Sequence, residues 1–346
     1  MNFASDNRGP AHPQVLEAMI AANEGFSPSY GSDDLTQQVC DQIREIFEAP
    51  DAAVFLTPSG TATNALILAT LSNPWDEIYC AKESHIRFDE CNAVEFYSGG
   101  ARLTYVGEND RVDPDALRHT MENAAPHEHH NAQIGPTSIT QVTDLGGVYN
   151  LDEIKAITEV AHEYGSLVHM DGARFTNAMT SLMCSPAEMT WKAGVDAVSF
   201  GGTKNGCLDV EAAIFFNPEF AWEFELRRKR AGHLFSKHRF LAAQMQGYLH
   251  KGLWIRLAQT ANATGQKLFA GLQELGGQMM APADANLGFV YLPRHMHAKA
   301  VAAGAVYEIE EDLENGSADE MLISRFVCDW SVGSEGVDEF LAIFED

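Results

Sequence analysis

The sequence predicts an α/β protein: a large domain on a mainly parallel sheet, followed by a smaller C-terminal α+β domain. Three observations predict it. Short apolar, β-rich runs alternate with segments of helical period through the first 250 residues, as strands joined by crossover helices require. Those runs are apolar at both parities, the mark of strands covered on both faces. Beyond about residue 250 the pattern changes to one long helical segment, two alternating runs and a closing helix. The expected division is therefore 1–250 and 251–346, with residues 1–15 packing near the smaller domain.

Taken in order, "AAVFL" reads as a strand and "GTATNALILATL" as the helix that leaves it. The runs "EIYCA", "ARLTYVG" and "TSITQV" come next as strands, each short and rich in β-branched or aromatic residues. "LDEIKAITEVAHEYG" has helical period, and "SLVHMD", "DAVSFGG" and "EAAIFFN" complete the sheet. In the second part "GLWIRLAQTANATGQKLFAGLQELG" is a long helix, "LGFVYLP" and "RFVCDW" are strands, and "GVDEFLAIFED" closes the chain as a helix. Repeats and low-complexity tracts are absent, and "PHEHHNAQIGP" stands out as an unusual loop.

Charge narrows the partners. With 49 acidic against 23 basic residues the formal net charge is −26, which repels phosphate backbones and anionic membranes at long range. Nucleic acid and membrane are excluded as expected partners, and an anionic ligand must be captured locally by a few cations and backbone N–H groups. No stretch of 18 apolar residues occurs, and the start "MNFASDNRGPAHP" lacks a basic segment followed by an apolar one; the expected location is the cytoplasm. Six scattered cysteines without a C-x-x-C pair predict reduced, packed thiols and no metal site.

In a parallel sheet ligands collect beyond the carboxyl ends of strands, so the residues just after each run carry the candidates. "FLTPSGTATN" is a strand, a tight turn and a helix start. Free N–H groups there, with Ser59, Gly60 and Thr61, make a phosphate seat; the plain alternative is an ordinary capped helix. "SLVHMDGAR" ends a strand in Asp171, with Arg174 three residues on. Either the two form a structural ion pair, or Asp171 keeps a ring nitrogen protonated while Arg174 meets an anionic group. "DAVSFGGTK" delivers Lys204 from another strand end, with Gly201 and Gly202 allowing close backbone approach to a ligand. An exposed lysine is protonated and inert, so chemistry at Lys204 requires burial or neighbouring cations. A phosphate seat, a strand-end aspartate and a strand-end lysine together are what pyridoxal 5'-phosphate needs. His85, in "CAKESHIRFDE", is placed to stack on a ring or exchange protons, or is a surface histidine. The basic run "ELRRKRAGHLFSKHR" is either a solvated helix face or an anion site completed across a subunit interface.

Through these residues the sequence resembles the threonine aldolase family of fold-type I pyridoxal-phosphate enzymes, whose large domain is aspartate-aminotransferase-like. "SDNRG", "SYGSDD", "SGTATN", "ESHIRFDE", "HMDGARFTNA", "VSFGGTKNG" and "SRFVCDWS" carry the resemblance in order along almost the whole chain. It implies Lys204 as the imine-forming lysine, Asp171 on the ring nitrogen, His85 on the ring face, and Ser59, Gly60 and Thr61 at the phosphate. It implies Ser5, Arg174 and Arg325 around a substrate carboxylate, with Tyr30 and Lys229 from a neighbouring subunit of a homo-oligomer, a dimer sharing active sites or a tetramer. Lys237 stands where the family has an arginine at the phosphate. The implied reaction is retro-aldol cleavage of an L-β-hydroxy-α-amino acid to glycine and an aldehyde. The alternatives are a β-eliminating lyase or aminotransferase, or a non-catalytic anion-binding protein. Where many members carry a histidine after a Glu-Asn-Thr segment, "TSITQVTDLGGVY" aligns Thr143. The base for the β-hydroxyl is then open among His85, His130 of the histidine-rich loop, and water.

Overall fold

In the computed structural model, which describes residues 1–124 and 128–345, seven strands form the main sheet. They are β1 (Ala53–Thr57), β2 (Asp76–Ala81), β3 (Arg102–Val106), β4 (Gln133–Thr140), β5 (Val168–Gly172), β6 (Ala197–Gly201) and β7 (Glu211–Phe215). Their spatial order is β1-β7-β6-β5-β4-β2-β3. β3, β2, β4, β5 and β6 are parallel neighbours, while β7 runs antiparallel to both β6 and β1. Only residues 202–210 join β6 to β7, too few for a crossover, so the chain must turn back. β1, β2, β4, β5 and β6 therefore all end on one edge of the sheet, and that edge carries the chemistry.

The strands are buried because helices cover them. Helix Gly60–Leu71, which leaves β1, has every residue from Ala62 to Thr70 buried; an all-round apolar helix belongs in a core. Its few polar side chains must then find partners inside. Thr57 and Thr63 hydroxyls meet at 2.6 Å, Thr70 Oγ1 donates to the Leu66 carbonyl at 2.7 Å, and Asn64 reaches into the site described below. On the other face Phe47, Phe175, Phe200 and Trp254 pack edge to face at 5.4–5.7 Å.

A second, antiparallel sheet contains β8 (Gln278–Met279), β9 (Leu287–Pro293), β10 (Glu308–Ile309) and β11 (Met321–Val327), ordered β10-β11-β9-β8. The 22-residue helix Leu253–Glu274 and the helix Gly333–Ala342 pack on it. Its core stacks Tyr307 on Phe326 at 4.4 Å and sets Phe3 tilted against Phe340 at 5.0 Å. Phe3 is fully buried, worth roughly 2–3 kcal/mol of apolar burial. Its backbone is tied in by Phe3 N donating to Val306 O at 2.7 Å and Val327 N donating to Phe3 O at 2.8 Å. Anchoring Phe3 here delivers Ser5 and Asp6 to the catalytic edge of the other sheet. No helix among the described residues is long and apolar enough to cross a membrane.

Candidate active site

Lys204 sits in the one-turn 3-10 segment Thr203–Asn205 just after β6. The turn is fixed by its neighbours: Asn205 Nδ2 donates to Tyr248 Oη at 2.7 Å and to the Trp254 carbonyl at 2.9 Å, and Gly202 N donates to Glu211 Oε2 at 3.1 Å. The Lys204 amine makes no hydrogen bond to any described residue. Burial pushes its pKa down and the Arg174 guanidinium adds to this, while Asp6, Asp171 and Glu211 pull the other way; the net shift is downward. An amine with a depressed pKa is the nucleophile that an exposed lysine is not.

Gly201 and Gly202 serve a different purpose from the ligand approach expected of them. A Cβ on Gly201 would lie 2.5 Å from the Ala173 carbonyl and 2.8 Å from that of Gly172; one on Gly202 would lie 2.8 Å from the Val210 carbonyl. The glycines are needed where β6 and its turn pass other backbone.

Asp171 ends β5, fully enclosed. Its Oδ1 accepts from Ala173 N at 3.0 Å and its Oδ2 from Asn64 Nδ2 at 2.9 Å. Asn64 Nδ2 also donates to Glu90 Oε1 at 2.9 Å, and its Oδ1 accepts from Ser199 Oγ at 2.8 Å. Glu90 in turn meets His85 Nδ1 at 3.0 Å. Burial alone would lower the His85 pKa, but the Glu90 hydrogen bond and the Asp171 charge outweigh it and the net shift is upward. Burial raises Glu90 as well. His85, Glu90 and Asp171 bring one ligand-capable atom each within 4.8 Å of one another; Asn64 Nδ2 bridges the two carboxylates, which makes the cluster a hydrogen-bonded chain running from the sheet to the imidazole.

His85, Lys204, Arg174, Ser5 and Arg325 line one cavity of about 760 Å³. The structural ion pair open to Arg174 is made with Asp6 rather than Asp171: Nε to Oδ2 at 2.7 Å and Nη2 to Oδ1 at 2.8 Å. Arg174 keeps Nη1 for the cavity. Arg325, on β11, is held by Glu308 at 2.6 Å, and Ser5 Oγ accepts from Asn7 N at 3.1 Å. Thr143 is not at the cavity. It is buried, with Oγ1 accepting from Gly147 N at 3.0 Å within its own turn. The next residue, Asp144, faces the cavity, with Oδ2 accepting from His85 N at 3.2 Å.

Ser59 caps helix Gly60–Leu71, its Oγ accepting from Ala62 N at 3.3 Å. The N–H groups of Gly60 and Thr61 have no backbone partner among the described residues, as a helix start leaves them, and a Cβ on Gly60 would meet nothing within 4 Å. Lys229, Lys237 and Tyr30 lie away from the cavity of their own chain. Lys229 Nζ stands 4.1 Å over the Tyr30 ring, Tyr30 N donates to Ser236 O at 3.1 Å, and Lys237 is exposed. Arg228, from the same basic run, is buried instead, donating to the Leu56 carbonyl at 3.0 Å and paired with Glu225 at 2.5 Å. His130 lies away from the cavity of its own chain. It is exposed and precedes β4, so the eight residues of β4, roughly 25 Å of extended chain, separate it from the catalytic edge. The loop residues 125–127, His127 among them, lie outside the described residues.

The residues fit pyridoxal phosphate: an unpartnered amine of depressed pKa, a strand-end carboxylate held by two donors, an imidazole, and a helix start with free N–H groups and space. Sequence reasoning missed Asn64, Glu90, Asp144 and Glu211. An asparagine in an otherwise apolar helix was a usable signal for Asn64, and the strand-end rule applied to "TSITQVTD" would have found Asp144. Glu211, buried and raised to about 7 chiefly by burial, carries no signal, since it opens a strand.

The sequence matches the family described as beta-eliminating lyase over residues 2–294. It is 38% identical over 342 residues to the low specificity L-threonine aldolase of Pseudomonas sp. (strain NCIMB 10558), covering 98% of this chain and 96% of that protein. Against the low specificity L-threonine aldolase of Pseudomonas aeruginosa PAO1 the identity is 38% over 339 residues, 97% and 95% of the two chains. Among solved structures, the threonine aldolase of Leishmania major matches with a TM-score of 0.91 at 23% identity, over 99% and 98% of the chains. A Sphingomonas wittichii serine palmitoyltransferase matches at 0.67 and 16%, over 100% and 86%; these two establish fold type I. With matches of this length and identity, the chain belongs to the beta-eliminating lyase family, among its threonine aldolases.

Proposed function

We propose that this protein cleaves L-threonine, L-allo-threonine and related L-β-hydroxy-α-amino acids, including β-phenylserine, to glycine and an aldehyde, using pyridoxal phosphate. The observation that carries the reading is the meeting of Lys204, Arg174, Arg325 and His85 in one cavity: a reactive amine, two guanidiniums suited to a carboxylate, and an imidazole held by Glu90. The bound cofactor supplies an aldehyde for an amine and a ring that withdraws electrons from Cα. Lys204, Asp171, His85, Ser59, Gly60 and Thr61 would hold it.

The chain's own contribution is positioning and proton control. Arg174, oriented by its two bonds to Asp6, presents Nη1, and Arg325 with Ser5 closes the other side of an α-carboxylate; this fixes which Cα bond stands free to break. The Asp171–Asn64–Glu90–His85 chain keeps the imidazole in one orientation. Tyr30, Lys229 and Lys237 serve the cavity of a neighbouring copy in a homo-oligomer. Six unpaired cysteines, four of them buried, support the cytoplasm as its location.

The test is a visible spectrum and then product analysis. Purified protein reconstituted with pyridoxal phosphate is expected to absorb in the visible and to be fixed by borohydride on Lys204. Acetaldehyde from L-threonine and benzaldehyde from β-phenylserine are the expected products; ammonia and a keto acid without aldehyde would refute the reading.

A further inference from the structure

The proposed cleavage needs a group that takes the β-hydroxyl proton, and the sequence leaves that group open among His85, His130 and water. Thr143 is locked into its own turn, and His130 lies at the far end of β4. His85 Nδ1 is committed to Glu90 at 3.0 Å, and its ring is wanted on the face of the cofactor. Glu308, at the cavity rim, is taken by Arg325, and Asp89 is exposed on the rim.

Five carboxylates line the cavity, Glu83, Asp89, Asp144, Glu308 and Glu310, and Asp144 is the one that accepts from the His85 backbone N–H. Asp144 comes after β4 on the edge where β5 and β6 deliver Arg174 and Lys204, and it lines the same cavity. Among the described residues its carboxylate accepts a single hydrogen bond, from His85 N at 3.2 Å, so acceptor capacity remains. The turn that presents it is rigid. Thr143 N donates to Gly147 O and Gly146 N to Thr143 O, each at 2.9 Å, and Leu145 N donates to Asp110 Oδ2 at 3.0 Å. A Cβ on Gly146, which has φ +99°, would lie 2.3 Å from the Leu287 carbonyl; the glycine seats this turn directly against β9. A carboxylate on a turn clamped at both ends and docked on the second sheet is positioned rather than incidental.

Resting on the proposed aldol cleavage, we propose that Asp144 is the catalytic residue that accepts the β-hydroxyl proton as the Cα–Cβ bond breaks. The hydroxyl proton passes to the Asp144 carboxylate and the O–H electron pair becomes the second bond of the aldehyde carbonyl. The Cα–Cβ pair stays with the glycine fragment, which takes up a proton at Cα, and Asp144 then returns its own to water. No oxidant or reductant enters. The electrostatics agree. Burial, then the Asp171 charge, push Asp144 up to about 7, against the pull of His85, Arg174 and Lys204, the groups that face it across the cavity. A general base works best with a pKa near the working pH.

The test compares two reactions of the holoenzyme. D144N keeps an oxygen for His85 N–H but cannot take a proton. Its kcat/KM for L-threonine cleavage is expected to fall about 100- to 10,000-fold, the range for loss of a general base. Exchange of the α-proton of glycine with D2O, which involves no β-hydroxyl, is expected to fall less than about threefold by the same reasoning. Independently, carbon-13 NMR of the cofactor-free chain is expected to show a carboxyl titrating near 7 that D144N lacks. Cleavage by D144N within threefold of wild type overturns the proposal, as does glycine exchange falling as far as cleavage, which would make Asp144 a prop for His85. Absence of aldehyde from wild type refutes instead the aldol reading beneath it.

Discussion

Replacing Asp6 by asparagine removes one charge while preserving shape, and the hydrogen bonds around it set the cost. Asp6 Oδ2 accepts from Arg174 Nε at 2.7 Å and from Asn286 Nδ2 at 3.2 Å, and Oδ1 accepts from Arg174 Nη2 at 2.8 Å. Every one of these neighbours is a donor. Whichever way the new amide turns, its NH2 faces another donor, and Arg174, whose side chain is only 9% exposed, loses its counter-charge. Breaking a buried pair in this way costs about 3–5 kcal/mol. With a urea slope of roughly 3 kcal/mol per molar, the unfolding midpoint at pH 7 is expected to drop by about 1 to 1.7 M. The dependence on pH has a definite sign. Burial works to raise the Asp6 pKa, but Arg174, Lys204 and the hydrogen bonds from Arg174 and Asn286 bring it below its ordinary 3.8. A depressed carboxyl gives stability that is complete above the unfolded value and lost as pH falls through the folded one. Wild type and D6N should therefore differ fully at pH 5 to 7 and converge only below pH 4. Urea titrations monitored by far-UV circular dichroism at pH 7, 5 and 3.5 measure this. A midpoint shift under about 0.3 M at pH 7, or a gap that persists unchanged at low pH, would refute the assignment of Asp6 as the buried partner of Arg174.

Three further outcomes are expected. Lys204→Ala should abolish both the visible band and borohydride fixation while leaving the urea midpoint within about 0.3 M, because no described hydrogen bond of the fold uses the amine. Asn64→Leu strands the Asp171, Glu90 and Ser199 groups it now joins; leaving buried polar atoms unsatisfied costs about 1–3 kcal/mol each, so both the urea midpoint and pyridoxal phosphate affinity, read by titration of the visible band, should fall. Gly201→Ala must displace backbone that would stand 2.5 Å from the new Cβ. The expected loss is about 1–3 kcal/mol, together with weaker cofactor binding as the Lys204 turn shifts; a thermal melt and the same titration check it.

The fold is legible in the sequence because its determinants are local. Runs such as "VSFGG" and "SLVHM" are apolar at both parities for the simple reason that helices cover both faces, and that burial is written in every residue. The reversal of β7 is also open to reading, since nine residues cannot hold a crossover. The sheet order, with β4 beside β2, is not, because nothing in the strands records which neighbour they will meet.

The site divides along the same line. Strand-end residues of unmistakable chemistry, Asp171 and Lys204, can be picked from sequence because their cost in a core requires a purpose. Arg174 shows where that logic stops: its partner is Asp6, 168 positions away, and a chain start carried by Phe3 on the second sheet brings the two together. His85 likewise depends on Glu90, which depends on Asn64 from a different helix. Asp144 is the sharpest case. Its identity as a carboxylate after a strand is visible, yet alignment points to Thr143 beside it, because a one-residue choice within a turn depends on which side chain the turn consumes. Thr143 Oγ1 accepts from Gly147 N inside the turn, while the neighbouring Asp144 lines the cavity. Positions fixed by a residue's own cost can thus be read from sequence, whereas positions fixed by what a distant segment leaves unpaired require the fold.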